Sequence, residues 1–502
     1  MRRYGVLAGV TLAVAVAVGA ARAGDLDGVW VVGTTPSFPG VRMFEIHAGP
    51  SPSGTLTTDW YGAMPMRNLR ITGDVASFEI DNGNPRLQAH TWTATRQGDG
   101  VRLVGDIWYQ HVDASAHAGS ETERHALAFT LQPPPMVLRA LSSNGLARTP
   151  PMGWSSWNKF ATRIDDVAVR QIADAMVASG LRDAGYVYVN IDDGWQGARD
   201  ANGVLQPNAK FPDMAGLARY VHARGLKLGL YSSPGPKSCA GYVGSYGHVV
   251  QDARTWAGWG VDYIKYDLCS GEGFYRSPTE IRATYQEMGA ALQATGRPIV
   301  FSLCEYGRAD VGSWGRLVAG NLWRTSGDIK DSYDSMAAIG FDKGGKPEDA
   351  GPGGWNDLDM LEVGNGGMTA DEYRTHLSLW AMQAAPLMTG NDLRTMTPET
   401  VALLTDKTML AIDQDPLGRQ GRRLFKRGDL EVWTRPLADG AMAVAVFNRA
   451  AQPLDAELSW EELGVAAPAR LTGAWTAAPV ERSASGFKAS VPTHGVVLLR
   501  AG

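Results

Sequence analysis

Eight times between residues 147 and about 390, a short apolar run ends in a polar residue and gives way to a helix-length stretch. The runs fall at 152–154, 186–192, 227–232, 263–267, 299–303, 322–324, 354–357 and 386–388. Helical patterns lie between them at 165–179, 214–224, 249–257, 278–294 and 370–383. Strands that alternate with helices form a parallel sheet, because each crossover carries its helix over one face. Eight such units in about 250 residues match the size of a (β/α)8 barrel. Barrels of this kind hold their sites at the C-terminal ends of the strands, so the polar residues closing these runs should converge.

The flanking sequence alternates apolar and polar residues instead. Runs at 28–32, 41–47, 55–60, 68–72, 75–80, 88–95, 101–109 and 126–131 are separated by Gly and Asn/Asp turns, which predicts an antiparallel barrel or sandwich. Trp60, Trp92 and Trp108 are candidate sugar platforms there, or else core residues. Pro133, Pro134 and Pro135 read as a stiff linker. Beyond about 415, runs at 430–434, 441–448, 455–459, 469–471, 486–490 and 496–499 predict a small antiparallel β-sandwich with a structural role. The expected class is α/β: a leader at 1–23, an all-β domain at 24–135, a (β/α)8 barrel at 146–414 and a sandwich at 415–502.

The leader combines Arg2 and Arg3, an apolar stretch at 6–18 and Ala21-Arg22-Ala23, the pattern of a secretory signal cleaved near Ala23. The stretch is too short for a comfortable membrane span. A secreted or periplasmic chain without a membrane partner is therefore expected. A net charge of −5 offers nothing to attract nucleic acid. The three cysteines, Cys239, Cys269 and Cys304, allow at most one disulfide. Neither they nor the nine histidines have metal-ligand spacing, so no metal and no cofactor is expected.

The strand ends carry the chemistry. The second run closes on Asp192-Asp193-Gly194-Trp195, the fourth on Lys265 and Asp267, and the fifth on Cys304-Glu305. The sixth gives Arg324 and then Asp328, and the seventh gives Asn356-Asp357-Leu358-Asp359. Lys265 and Asp267 are two apart in a strand and share a face, so the ammonium should keep the carboxylate ionised. Carboxylates crowded at one mouth repel, and their pKa values spread apart. Acids with aromatics and no metal motif suit glycoside hydrolysis, which needs one carboxylate as nucleophile and another as acid/base. A Ca²⁺ or Mg²⁺ site at 356–359 is the competing reading, but it lacks a glycine-anchored loop, and Lys265 and Arg324 compete for the charge. Asp192 and Asp193 have a blander reading too, as helix-capping residues.

Several stretches in order then resemble glycoside hydrolase family 27, the melibiase-type α-galactosidases. They are Leu146-Ala147-Arg148-Thr149-Pro150-Pro151-Met152-Gly153-Trp154, Ile191-Asp192-Asp193-Gly194-Trp195, Tyr263-Ile264-Lys265-Tyr266-Asp267, Trp323-Arg324-Thr325-Ser326-Gly327-Asp328 and Gly354-Trp355-Asn356-Asp357-Leu358-Asp359-Met360-Leu361. The resemblance runs from about residue 146 to the C-terminus and does not reach 24–135. It implies retaining hydrolysis of terminal α-D-galactosyl residues, with α-galactosides as partners, Asp267 as nucleophile and Asp328 as acid/base. Their carboxyls would sit roughly 5–5.5 Å apart, as retention requires.

By the same resemblance Asp192 and Asp193 would hold the galactose 4- and 6-hydroxyls, and Lys265 would donate to ring hydroxyls. Arg324 would hold O2 with Asp359 close by, Trp157 would lie against the apolar sugar face, and Tyr231 and Glu305 would line the pocket. Cys239 and Cys269 match the family's disulfide pair. Leu358 stands where the family commonly has proline, which removes no reacting group. The intact Asp192-Asp193 pair favours an α-galactosidase over a β-L-arabinopyranosidase, and Glu305 favours it over an α-N-acetylgalactosaminidase. A non-catalytic galactose-binding protein would require loss of Asp267 or Asp328, and both are present.

Overall fold

The computed structural model describes residues 26–33, 35, 40–80, 90–107, 110–128, 139–475 and 480–502. The leader, Trp108 and the Pro133, Pro134, Pro135 linker lie outside them. The chain divides into two units, residues 1–129 and 130–502.

In the first unit, Gly28–Val32, Val41–His47, Ser53–Thr58, Gly62–Thr72, Val75–Ile80, His90–Gln97, Gly100–Ile107 and Gln110–Ala118 pair antiparallel in chain order. The first strand also pairs with the last, closing a barrel. Of the two predicted architectures, barrel and sandwich, the barrel forms. One expectation fails here, and one alternative is decided. The strand expected at 126–131 is absent from its described part, 126–128, which ends the helix Glu121–Leu127, set by a Ser120–Glu123 capping box. Trp60 and Trp92 are 4% and 0% exposed, so they are core residues and cannot be sugar platforms. Trp92 stacks on Phe78 with ring centroids 6.5 Å apart. Gly105 lies against its other side, where any Cβ would overlap the indole.

In the second unit eight parallel strands curl into a ring: β1 (Met152–Ser155), β2 (Tyr188–Ile191), β3 (Lys227–Ser232), β4 (Tyr263–Asp267), β5 (Val300–Cys304), β6 (Leu322–Arg324), β7 (Trp355–Asp357) and β8 (Leu387–Thr389). Their spatial order is β7-β6-β5-β4-β3-β2-β1-β8. The ring closes where Leu361, just past β7, bridges Thr389 of β8. The strands are almost wholly buried, as a parallel sheet covered by helices must be.

Local sequence sets the covering helices. Asp166–Ala178 starts where the Asp165 carboxylate accepts the Ala168 N–H. Pro278–Ala294 and Ala370–Met382 each start at a capping box, Ser277–Glu280 and Thr369–Glu372. Val249–Trp259 ends at Gly260, whose φ of +92° suits only a residue without Cβ.

The sandwich pairs a five-stranded sheet (Arg422–Arg427, Leu430–Pro436, Met442–Asn448, Val496–Ala501, Leu471–Gly473) with a three-stranded one (Leu454–Ser459, Gly486–Val491, Glu481–Arg482). Trp433, Phe447 and Leu498 extend the barrel's own buried cluster. Phe341 packs edge-on against Trp433 and Phe447, with centroids 6.4 and 5.3 Å away.

Candidate active site

The C-terminal ends of the strands open into a cavity of about 530 Å³. Trp157, Asp192, Asp193, Tyr231, Lys265, Asp267, Arg324, Asp328 and Asp359 all line it. They come from five strands or the turns just beyond, plus the short helix Trp157–Phe160 after β1. In-register pairing sets their level: Tyr231 lies opposite Lys265, and Arg324 opposite Asp357.

Lys265 does not pair with Asp267 in the way strand spacing suggests. Its Nζ donates to Asp192 Oδ2 at 2.9 Å across the β2–β4 face. Asp267 is 4% exposed. Burial pushes its carboxyl up to about 6, outweighing the field of Lys265 and a hydrogen bond from Tyr306. Lys265 favours the ionised form, as its position suggests, but desolvation opposes it, so the carboxylate charge is complete only above about 6. Asp193 is also deeply buried, and burial pushes it up to about 7. Its Oδ2 accepts the Ala240 N–H at 2.6 Å, while Oδ1 has no partner among the described residues.

Arg324 joins two acids. Its Nη2 donates to Asp328 Oδ1 at 3.1 Å and lies 2.9 Å from Asp359 Oδ2. Asp359 also accepts the N–H groups of Ile329 and Met360, both at 2.8 Å, and its φ of +83° is held by these bonds. Burial drives Asp359 to about 6 against the pull of Arg324. Asp328 differs: its side chain is 65% exposed. Partial burial acts to raise it, but Arg324 and Lys265 outweigh this, and it sits below the ordinary carboxylate value. The two acids sharing Arg324 are therefore split, one inclined to hold a proton and one to lose it.

Glu305 departs from expectation. It is fully buried behind the wall and does not line the cavity. One oxygen accepts the Gly307 N–H at 3.2 Å, the other has no partner among the described residues, and burial drives its carboxyl well up. The neighbouring Tyr306 lines the cavity instead. An acid in this position fills no space beside a bound sugar, so the steric reason for excluding a 2-acetamido group does not rest on Glu305.

Cys239 and Cys269 form a disulfide with Cα atoms 5.2 Å apart, tying the loop after β3 to the end of β4. Cys304 is free and buried. Cys239, Asp267 and Cys269 bring ligand-type atoms together, but the joined sulfurs offer no thiolate to a metal.

Among the wall residues that escaped the sequence reading are Tyr306, Asn158, Glu362 and Asn365. Glu362 accepts amide N–H bonds from Asn158 and Asn365, at 2.5 and 2.6 Å, and burial pushes it to about 7. Tyr306, Asn158 and Glu362 lie one to three residues beyond Glu305, Trp157 and Asp359, and Asn365 lies six beyond Asp359. A rule that followed every rim residue into its loop would have found them.

The family described as Alpha galactosidase A matches residues 149–415, and the family described as Alpha galactosidase C-terminal beta sandwich domain matches 427–501. The α-galactosidase of Cyamopsis tetragonoloba is 48% identical over 333 residues, covering 66% of this chain and 80% of that protein. The structure of α-galactosidase I from Mortierella vinacea is 33% identical with a TM-score of 0.66, covering 72% of this chain and 98% of its own. A solved structure from Bacteroides fragilis, 31% identical with a TM-score of 0.67, covers 95% of this chain and 98% of its own. The chain therefore belongs to the melibiase family of glycoside hydrolases, glycoside hydrolase family 27.

Proposed function

We propose that this protein is an α-galactosidase that removes terminal α-D-galactosyl residues by double displacement, with Asp267 as nucleophile and Asp328 as acid/base. The observation that carries this reading is the pairing of a sequestered and an exposed carboxyl in one cavity, Asp267 at 4% and Asp328 at 65% exposure. Asp267 forms a bond to the anomeric carbon while the bond to the leaving oxygen breaks, and Asp328 gives that oxygen its proton. Asp328 then takes a proton from water, whose oxygen attacks the anomeric carbon and releases Asp267 as a carboxylate.

The Asp193 carboxylate and the Asp192–Lys265 pair, all on the cavity lining, supply acceptors and a donor for sugar hydroxyls. Arg324 orients Asp328 and Asp359. A sugar seated over Asp328 excludes the water on its exposed side, which raises its carboxyl toward the protonated form that leaving-group departure needs. Export through the 1–23 leader belongs to the same proposal, and N-terminal sequencing of the secreted protein should begin just after Ala23.

Azide separates the two roles. Asp267→Gly with azide should yield β-galactosyl azide, because azide replaces the missing nucleophile on the same face. Asp328→Gly should yield α-galactosyl azide from the covalent intermediate. Absence of both products sinks the assignment. p-Nitrophenyl α-N-acetylgalactosaminide and β-L-arabinopyranoside, assayed beside the α-galactoside, test the substrate class.

A further inference from the structure

Asp267 has two oxygens, and the structure treats them unequally. Oδ1 accepts the Tyr306 hydroxyl at 2.5 Å and lies 3.4 Å from the Cys269 N–H. Oδ2 carries no such bond among the described residues. A contact of 2.5 Å is the length of a charge-assisted O–H···O⁻ bond. Tyr306 reaches it through backbone strain: its φ is +61°, a region a bulky residue rarely adopts. Gly307 follows at φ +74°, where a Cβ would strike the Thr325 carbonyl. Strain held at the residue that touches the reacting acid points to a role there rather than to packing.

We infer that Tyr306 is a positioning residue for the nucleophile, holding Oδ1 so that Oδ2 alone faces the anomeric carbon, and that it favours release of the covalent intermediate. This rests on Asp267 being the nucleophile. When Oδ2 bonds to the sugar, the carboxylate charge disappears and Oδ1 becomes a neutral ester carbonyl. The Tyr306 bond weakens in that step and strengthens again as water frees the carboxylate, since hydrogen bonds to ionised acceptors are roughly twice as strong. Tyr306 thus stabilises the free carboxylate, resisting the first displacement and assisting the second.

Other groups face Asp267 as well. Lys265 on its own strand lowers it, and Asp192 and Asp328 raise it. Asp193, Tyr231, Cys304 and Glu305 each feel its charge. All of them remain in a Tyr306→Phe variant, so a change in that variant reports the hydroxyl.

The test is pre-steady-state hydrolysis of an activated aryl α-galactoside by Tyr306→Phe. Loss of one charge-assisted bond should lower kcat about tenfold. KM should fall with it, kcat/KM should hold or rise, and a burst of phenolate equal to the active-site concentration should appear. The acid limb of kcat/KM should move to higher pH. Incorporating fluorotyrosine at 306, a stronger donor that still fills the site, should move that limb the other way. A fall in kcat with KM unchanged, no burst and a stationary acid limb would overturn the inference. If Asp267→Gly yields β-galactosyl azide while Tyr306→Phe behaves this way, only the inference about Tyr306 fails. If the azide product is missing, the nucleophile assignment fails instead.

Discussion

At Asp267 the same desolvation that raises the carboxyl also costs stability. A carboxyl held at about 6 in the fold and 3.8 as a free group binds more protons folded than unfolded between those values. Stability therefore falls as pH rises from about 4 to 6, and the ionised form strains the fold above that. Asp267→Asn should abolish turnover, by roughly four orders of magnitude. It should also raise unfolding stability at pH 7 by up to about 3 kcal/mol, a gain that vanishes below about pH 4. Chemical denaturation at both pH values checks the sign. In the active enzyme kcat/KM should rise with pH through about 6 as Asp267 ionises, readable as the acid limb of the pH–rate profile. Strand spacing put Lys265 and Asp267 on one face correctly. It could not reveal that Asp192, on a strand two places away in the ring, captures the ammonium at 2.9 Å.

Among the elements, those with strong periodicity or recognisable caps were legible. The strands Lys227–Ser232, Tyr263–Asp267 and Leu322–Arg324 fall where the apolar runs place them. Gln110–Ala118 escaped notice because its inward residues include the small Ala114 and Ala116, which give weak alternation. The edge strand Arg422–Arg427 escaped because it is mostly cationic and exposed. The helix Glu121–Leu127 carried its own signal, Ser120 with Glu123 three residues on, which outranks a short apolar run. Capping also sets a prediction: Thr369→Ala removes the hydroxyl that accepts the Glu372 N–H, one of the two reciprocal bonds that start Ala370–Met382. It should lower stability by about 1 kcal/mol and leave kcat/KM unchanged, as thermal unfolding beside a standard assay would show.

For the whole molecule, the sandwich is bound to the barrel through buried polar as well as apolar groups. Arg435 is fully buried and donates to the backbone carbonyls of Ala381 and Asp413, the latter at 3.2 Å. Burial pushes the neighbouring Asp413 carboxyl to about 8 against its pull. Arg435→Ala leaves the buried Ala381 and Asp413 carbonyls without that donor and should cost about 1–3 kcal/mol, with the pH profile of kcat/KM unmoved; differential scanning calorimetry would measure it. Every residue of the proposed site lies within 130–502. A chain lacking 24–135 should therefore keep kcat/KM on an aryl α-galactoside within about threefold, checked by initial rates. The sequence by itself determined the parallel barrel, the two β regions and the set of acids at the strand ends. Period and strand-end position are local properties, and the chain carries them before it folds. Only the tertiary structure decided which of those acids is buried, which pairs with which cation, and that Tyr306 rather than Glu305 faces the cavity. Those outcomes depend on desolvation and on distances between residues far apart in the chain, and both exist only once the ring has closed.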